Sequence, residues 1–234
     1  MDKFILLVYN LSNKADGIAI DSVYCAERCG PFMSERIPHY IDFGRVRSLA
    51  GRNEPSMDLS LIHCGVEQCA PLHMYQMPRD ELILHFVLNG KGIYLADQKS
   101  WQLEAGQAFL IYPNTDITYI SDAKAPWEYA WIGFSGIKAE NILYHCGFSR
   151  QNLVCEVSNV EQFREIILEM LEHKEGTFSD ELYRNGKLMG LFSYLAEDNR
   201  KKIMRCQSVT MTTSILMCAM RLNISENFTI RTSR

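Results

Sequence analysis

The sequence predicts an α+β protein, mainly β: an antiparallel β-barrel or jelly roll followed by a helical hairpin. Three observations carry that expectation. Between Leu82 and Phe134 short apolar or alternating runs are broken by Asn89-Gly90-Lys91-Gly92, Glu104-Ala105-Gly106-Gln107 and Tyr112-Pro113-Asn114-Thr115, a meander with turns roughly every ten residues. Past Ser135-Gly136 the apolar period changes from two to three and four, which is the change from strand to helix. With 234 residues, 47% hydrophobic and 22% charged, the chain can bury one substantial core with a helical appendage.

Residues 1–57 show no sustained periodicity; Lys3, Arg28, Arg36, Arg45 and Arg47 are dispersed, and an N-terminal arm is expected there. A first strand is expected at Leu59, Leu61 and His63, which alternate with Asp58, Ser60 and Ile62, and a loop over 71–80. Leu82–Leu88 is apolar throughout apart from His85, as in a strand covered on both faces. Asn89-Gly90 is a hairpin signal because both residues tolerate positive φ. Gly92–Asp97 returns, Lys99–Leu103 continues, Ala105-Gly106 turns into Gln107–Tyr112, and Pro113-Asn114 turns into Ile117–Ser121. After Pro126 a long strand runs Trp127–Phe134, which places the barrel over 58–136.

Ile137–Cys146 reads as a short helix stopped by Gly147. Val160–His173 gathers Val160, Phe163, Ile167, Met170 and Leu171 on one face, opposite Glu161, Arg164, Glu165 and Glu172. Ser179–Asn199 gathers Leu182, Met189, Phe192 and Leu195, with Ser179 or Asp180 as its cap. Two striped helices over 137–200 serve equally for packing on the barrel or for an interface. The residues that would form that interface are Phe163, Ile167, Met170, Leu171, Leu182, Met189 and Phe192. The tail, 201–234, holds one further apolar segment, Ile215–Leu222, and is expected to be a linker.

Net charge is −4 with a pI of about 5.9, so no global basic field draws the chain to phosphate backbones. Phe4–Tyr9 is too short to span a bilayer and lacks a cleavage site; no membrane partner and a cytoplasmic location are expected. Eight cysteines spread along the chain are expected as free thiols in a reducing compartment. Cys25-x3-Cys29 and Cys64-x4-Cys69, near His63 and His73, invite a zinc reading, but the spacing is loose and no metal or cofactor is assigned.

Strand alternation selects the candidate ligand residues. Ile83, His85, Val87 and Asn89 share one face of their strand, and that face carries its only polar groups. Trp127, Tyr129 and Trp131 share a face of the last strand, and Ile117 and Tyr119 agree in parity. Ile83, His85, Asn89, Tyr119, Tyr129 and Trp131 are thus expected to line a hollow. An indole such as Trp131 stacks on the C–H face of a pyranose, while Tyr, His and Asn exchange hydrogen bonds with ring hydroxyls at about 1 kcal/mol each. The effector expected is a small molecule, a sugar. No nucleophile elbow, phosphate-binding glycine loop or His-x-His occurs, and no catalytic residue is assigned.

The chain also resembles the sensor domain of AraC-type transcription regulators. The resemblance runs through His63-Cys64-Gly65-Val66-Glu67-Gln68-Cys69-Ala70-Pro71-Leu72-His73, Arg79-Asp80 and His85–Gly92. It continues in Leu103–Ile111 and Pro126–Gly136, and covers 59–200 with order and spacing kept. It implies a cupin-like barrel that binds an effector, helices that form a homodimer, and DNA binding through a C-terminal pair of helix-turn-helix motifs. Where arabinose-binding members carry an arginine, a tyrosine and a tryptophan, this sequence has Asn89, Tyr119 and Trp131. The missing arginine argues against arabinose itself. Where cupin enzymes place a metal-binding histidine after a Pro-Gly turn, Ile117 stands here.

Ser225–Ile230 looks like the opening of the DNA-reading module, and the sequence ends four residues later. The expectation is a sensor without its DNA reader. The competing expectation is a small cupin-like binding protein or metal-dependent enzyme with no regulatory role.

Overall fold

Strand pairing in the Leu82–Phe134 region follows directly from its turns. A computed structural model describes residues 39–42, 44–50 and 58–229, with side chains placed between 40 and 207. Strands β5 (Leu82–Asn89), β6 (Lys91–Ala96), β7 (Lys99–Glu104), β8 (Gln107–Ile111), β9 (Ile117–Ser121) and β10 (Glu128–Ser135) lie where the turn residues place them. Gly90 takes a φ of +69° in the β5–β6 turn, and a side chain there would meet the Pro126 carbonyl at 2.4 Å.

Further strands complete the barrel: β1 (His39–Asp42), β2 (Val46–Ala50), β3 (Ser60–Gln68), β4 (Met74–Tyr75) and β11 (Val154–Glu156). They form a seven-stranded sheet, β1-β2-β3-β10-β5-β8-β11, and a four-stranded sheet, β4-β9-β6-β7. Among the described residues every pairing between these strands is antiparallel. The expected barrel is therefore present, and larger than 58–136. Residues 39–50, assigned to an arm, form two strands of its large sheet, and 154–156 adds a third beyond the predicted end. Residues 1–38 lie outside the described residues.

Three helices follow: α1 (Ala139–His145), α2 (Val160–Glu172) and α3 (Phe178–Thr229). The helix expected over 179–199 does not stop at Asn199. Its backbone runs on through the tail expected as a linker and takes in 215–222 and the start of 225–230. Ion pairs Arg200–Glu197 and Lys202–Asp198, three and four residues apart, support the continuation.

One face of the large sheet packs on these helices. Phe163 of α2 stacks on Phe86 of β5 with centroids 4.7 Å apart, and Phe192 of α3 meets Phe134 of β10 edge-on at 5.0 Å. Asn185 of α3 accepts the Leu61 N–H at 2.9 Å, which ties the helix to β3 with a buried polar contact. The assignment of Phe163, Ile167, Met170, Leu171 and Phe192 to an interface is therefore corrected. All five are at most 3% exposed, because the sheet's other face needs an apolar cover. Leu182 and Met189 point the other way, each 46% exposed.

Candidate functional site

Register builds the site on the barrel's inner face. Opposite Trp131 in β10 stand His85 in β5 and Gly65 in β3; opposite Gly133 stand Ile83 and His63. Tyr129 faces Glu67, and Tyr119 in β9 is flanked by Tyr75 and Tyr94. Alternation on each strand then sends His63, Glu67, Ile83, His85, Tyr129 and Trp131 inward together.

The rings meet as that register requires. His85 stacks on Phe109 at 4.5 Å and lies 5.1 Å from Tyr129, 5.3 Å from Tyr119 and 6.4 Å from Trp131. Tyr75 stacks on Tyr119 at 5.0 Å. The sequence-selected His85, Tyr129, Trp131 and Ile83 are thus brought to one side of the large sheet, where Tyr119 of the small sheet meets His85 and Tyr129. Asn89 is not. It is the last residue of β5, exposed, and its side-chain oxygen accepts the Gly90 N–H at 2.8 Å. The turn has taken the carboxamide out of the strand's parity, which corrects the inward placement of Asn89.

The expected hollow is also corrected in part. His85, Tyr119 and Tyr129 are 3–4% exposed and Ile83 is 2% exposed; aromatic rings fill the space between the sheets. Two clefts, of about 280 and 700 Å³, lie elsewhere, beside Cys146–Val157 and around Pro78, Asp97 and Asp116. What remains open is a rim above the rings, formed by the half-buried Trp131, His63, Glu81, Glu67, His73, Tyr75 and Arg79.

Glycine makes the room for the rim. A side chain at Gly65 would lie 2.3 Å from the Trp131 ring, and one at Gly133 would lie 2.2 Å from the His63 ring. Each ring covers a bare strand backbone opposite it. Trp131 Nε1 donates to His63 Nδ1 at 3.1 Å, and His63 Nε2 bonds Glu81 Oε1 at 2.8 Å. Accepting the indole N–H fixes the proton of a neutral imidazole on Nε2, so the Trp131–His63–Glu81 chain holds the indole in one orientation.

Burial would raise the Glu81 carboxyl, but the bond to His63 and the nearby Arg79 hold it below its ordinary value. Burial, reinforced by the Arg79 charge, drives His85 well below the ordinary imidazole range, so its ring is neutral. Burial raises the Tyr119 and Tyr129 hydroxyls well above theirs, and both stay protonated donors.

Several of these groups have polar atoms with nothing to bond. His85 Nδ1, Tyr75 Oη, Arg79 Nε and Trp127 Nε1 are buried without a hydrogen-bond partner. The Arg79 guanidinium lies 4.7 Å over the Tyr75 ring. Buried orphans of this kind cost roughly 1–3 kcal/mol each until a partner arrives, and three of the four converge on the Tyr75–Tyr119–His85 cluster. Sequence reasoning missed Arg79, Tyr75, Glu67 and Glu81: the loop expected over 71–80 contains β4, and the strand expected around 58–63 runs on to Gln68. Gly65 and Gly133, inside otherwise apolar strands, were the available signal.

The family described as the AraC-like ligand binding domain matches residues 60–192. The Msm operon regulatory protein of Streptococcus mutans is 34% identical over 153 residues, 61% of this chain and 52% of its own length. The raffinose operon transcriptional regulatory protein of Pediococcus pentosaceus is 34% identical over 104 residues, 43% of this chain and 36% of its own. The chain spans about half the length of the first of these curated relatives, and less of the second. Among solved structures, a Cupin 2 conserved barrel domain protein from Salinispora arenicola overlaps 47% of this chain and 89% of its own at 11% identity, with a TM-score of 0.31.

Proposed function

This chain belongs to the family of AraC-like ligand binding domains, and on that footing we propose that it senses a carbohydrate for a regulator of sugar-operon transcription. The observation that carries the reading is the set of unpartnered buried polar atoms, His85 Nδ1, Tyr75 Oη and Arg79 Nε, in an aromatic cluster where His85 lies 6.4 Å from the indole of Trp131 and Tyr75 stacks on Tyr119. A sugar offers both halves of what that arrangement lacks: an apolar C–H face for the indole and hydroxyls for the orphaned groups. Arg79 supplies the guanidinium that the sequence comparison with arabinose-binding members found missing at Asn89. The curated relatives are operon regulators, one of them of a raffinose operon, which favours sensing over catalysis.

Isothermal calorimetry with raffinose, melibiose, lactose, sucrose and their monosaccharides tests the proposal. At least one saccharide should bind, and Arg79→Ala should weaken it by about 1.5–3 kcal/mol, roughly 10- to 150-fold, as a charged donor is lost. Heat-silent titrations across the whole panel would refute the carbohydrate assignment.

Self-association is assigned to the outward stripe of α3. Phe178, Leu182 and Met189 are 67%, 46% and 46% exposed, and an added side chain at Gly186 or Gly190 would meet nothing within 4 Å. Spacings of three and four put these residues on one side of the helix, where a second copy's α3 can approach closely. The double variant Leu182→Glu, Met189→Glu should sediment as a monomer where the parent sediments as a dimer, and its melting temperature should lose the concentration dependence that a dimer shows. A parent that is itself monomeric would remove the assignment. Effector binding would then act on transcription by changing how two such domains are held.

A further inference from the structure

One cluster on the rim is given no role by the effector reading. Glu67, Cys69 and His73 come from the end of β3 and the turn before β4, and their donor atoms all lie within 4.8 Å of one another. We propose that these three side chains form a zinc site with one open coordination position.

The donors have the geometry and the chemistry. His73 Nε2 stands 3.6 Å from Glu67 Oε1; tetrahedral zinc with bonds of about 2.0–2.1 Å sets such a pair about 3.3 Å apart. Thiolate, imidazole and carboxylate together suit zinc better than the hard cations, which prefer oxygen alone. Three protein ligands leave the fourth position to water or another oxygen donor.

Their supports are already in place. Tyr129 donates to Glu67 Oε2 at 2.9 Å, which leaves Oε1 facing His73. The Cys69 N–H bonds the Trp127 carbonyl at 3.1 Å, and the His73 N–H bonds the Ala70 carbonyl at 3.1 Å and Ser121 Oγ at 2.9 Å. Backbones so fixed hold the ligands near a binding geometry before any ion arrives.

An independent observation points to a metal-bound thiolate. Trp127 is fully buried and its Nε1–H has no acceptor, yet the indole lies beside the Cys69 sulfur, with Tyr129 and Glu67 next to it. A zinc–sulfur bond would supply that acceptor. The thiol proton leaves to solvent, sulfur donates its electron pair to the metal, and the thiolate becomes the acceptor that Trp127 lacks. Dipositive zinc against one thiolate and one carboxylate gives a site of no net charge, which a half-buried setting favours.

The test uses the whole chain, stripped with a chelator, loaded with zinc, passed through gel filtration and measured by plasma mass spectrometry. About one zinc per chain should be retained. Cobalt loading should give thiolate-to-cobalt absorption with the intense visible bands of a four-coordinate site. Cys69→Ser and His73→Gln should lose both signals, whereas Cys155→Ser, outside the cluster, should keep them. If Cys69→Ser folds poorly, the cobalt–thiolate absorption of the parent and the response of His73→Gln decide. Failure of the parent to retain zinc, or parent-like retention by Cys69→Ser or His73→Gln, overturns the site. Metal content is read without any sugar, so this result and the effector titrations fail separately.

Discussion

Trp131→Ala should abolish measurable effector binding while leaving the chain folded and its self-association unchanged. The indole is a large ring of the inner face that remains partly open, and its position is fixed from three sides. Gly65 gives it bare backbone to lie on, His63 accepts its N–H at 3.1 Å, and Tyr129 stands against it at 5.8 Å. A preorganised aromatic platform loses little entropy when a sugar stacks on it, so it carries a large share of the binding energy. Truncating such an anchor costs about 2–4 kcal/mol, roughly 30- to 1000-fold in affinity. The variant also frees His63 Nδ1, but that nitrogen lies on the rim where water reaches it, so the loss in stability should be small. Trp131→Phe separates the contributions: it keeps a stacking face, loses the bond to His63, and should bind with intermediate strength. Calorimetry on both variants with the best saccharide, beside a thermal melt, reads the result. Unchanged affinity in Trp131→Ala would move the effector elsewhere, and the 700 Å³ cleft around Pro78, Asp97 and Asp116 would be the next place to look.

The barrel was legible where turn chemistry punctuates it. Asn89-Gly90, Ala105-Gly106 and Pro113-Asn114 each impose a backbone reversal, so β5 through β10 could be placed within a residue or two. Alternation then gave His85, Tyr129 and Trp131 a common face. It failed at Asn89 because a strand's last residue answers to its turn rather than to its sheet. Strands β1 and β2 were hidden because the segment carries charges and only Leu49 of β2 is fully buried; an outer strand shows little of the periodicity that a central one does. The rim was hidden for a different reason. Glu67 belongs to β3 and His73, Tyr75, Arg79 and Glu81 to the connection around β4, and the pairing of β4 with β9 sets Tyr75 against Tyr119. The helical stripes posed a question that periodicity cannot answer, since an apolar face looks the same whether its cover is its own sheet or another chain.

That question has a direct stability test. Phe163→Ala should destabilise the chain by about 3–5 kcal/mol, the usual cost of removing a buried phenyl ring, and should not change its oligomeric state. The ring is 2% exposed and stacks on Phe86 with an interplanar angle of 2°, so its removal leaves a cavity between α2 and β5 in the middle of the sheet. The sheet is held there by the β10 and β8 pairings on either side of Phe86, and a twisted, hydrogen-bonded layer does not collapse into the gap, which puts the loss at the upper end. For a domain of this size each kcal/mol lowers the melting temperature by about 2–4 °C, so the shift should be plain in a thermal scan. An interface residue behaves differently: Leu182→Glu with Met189→Glu changes association and removes only the concentration-dependent stability that a dimer adds. If Phe163→Ala instead kept its melting temperature and lost self-association, α2 would be facing a second chain rather than its own barrel. The assignment of the sheet's outer face to this chain's helices would then fall with it.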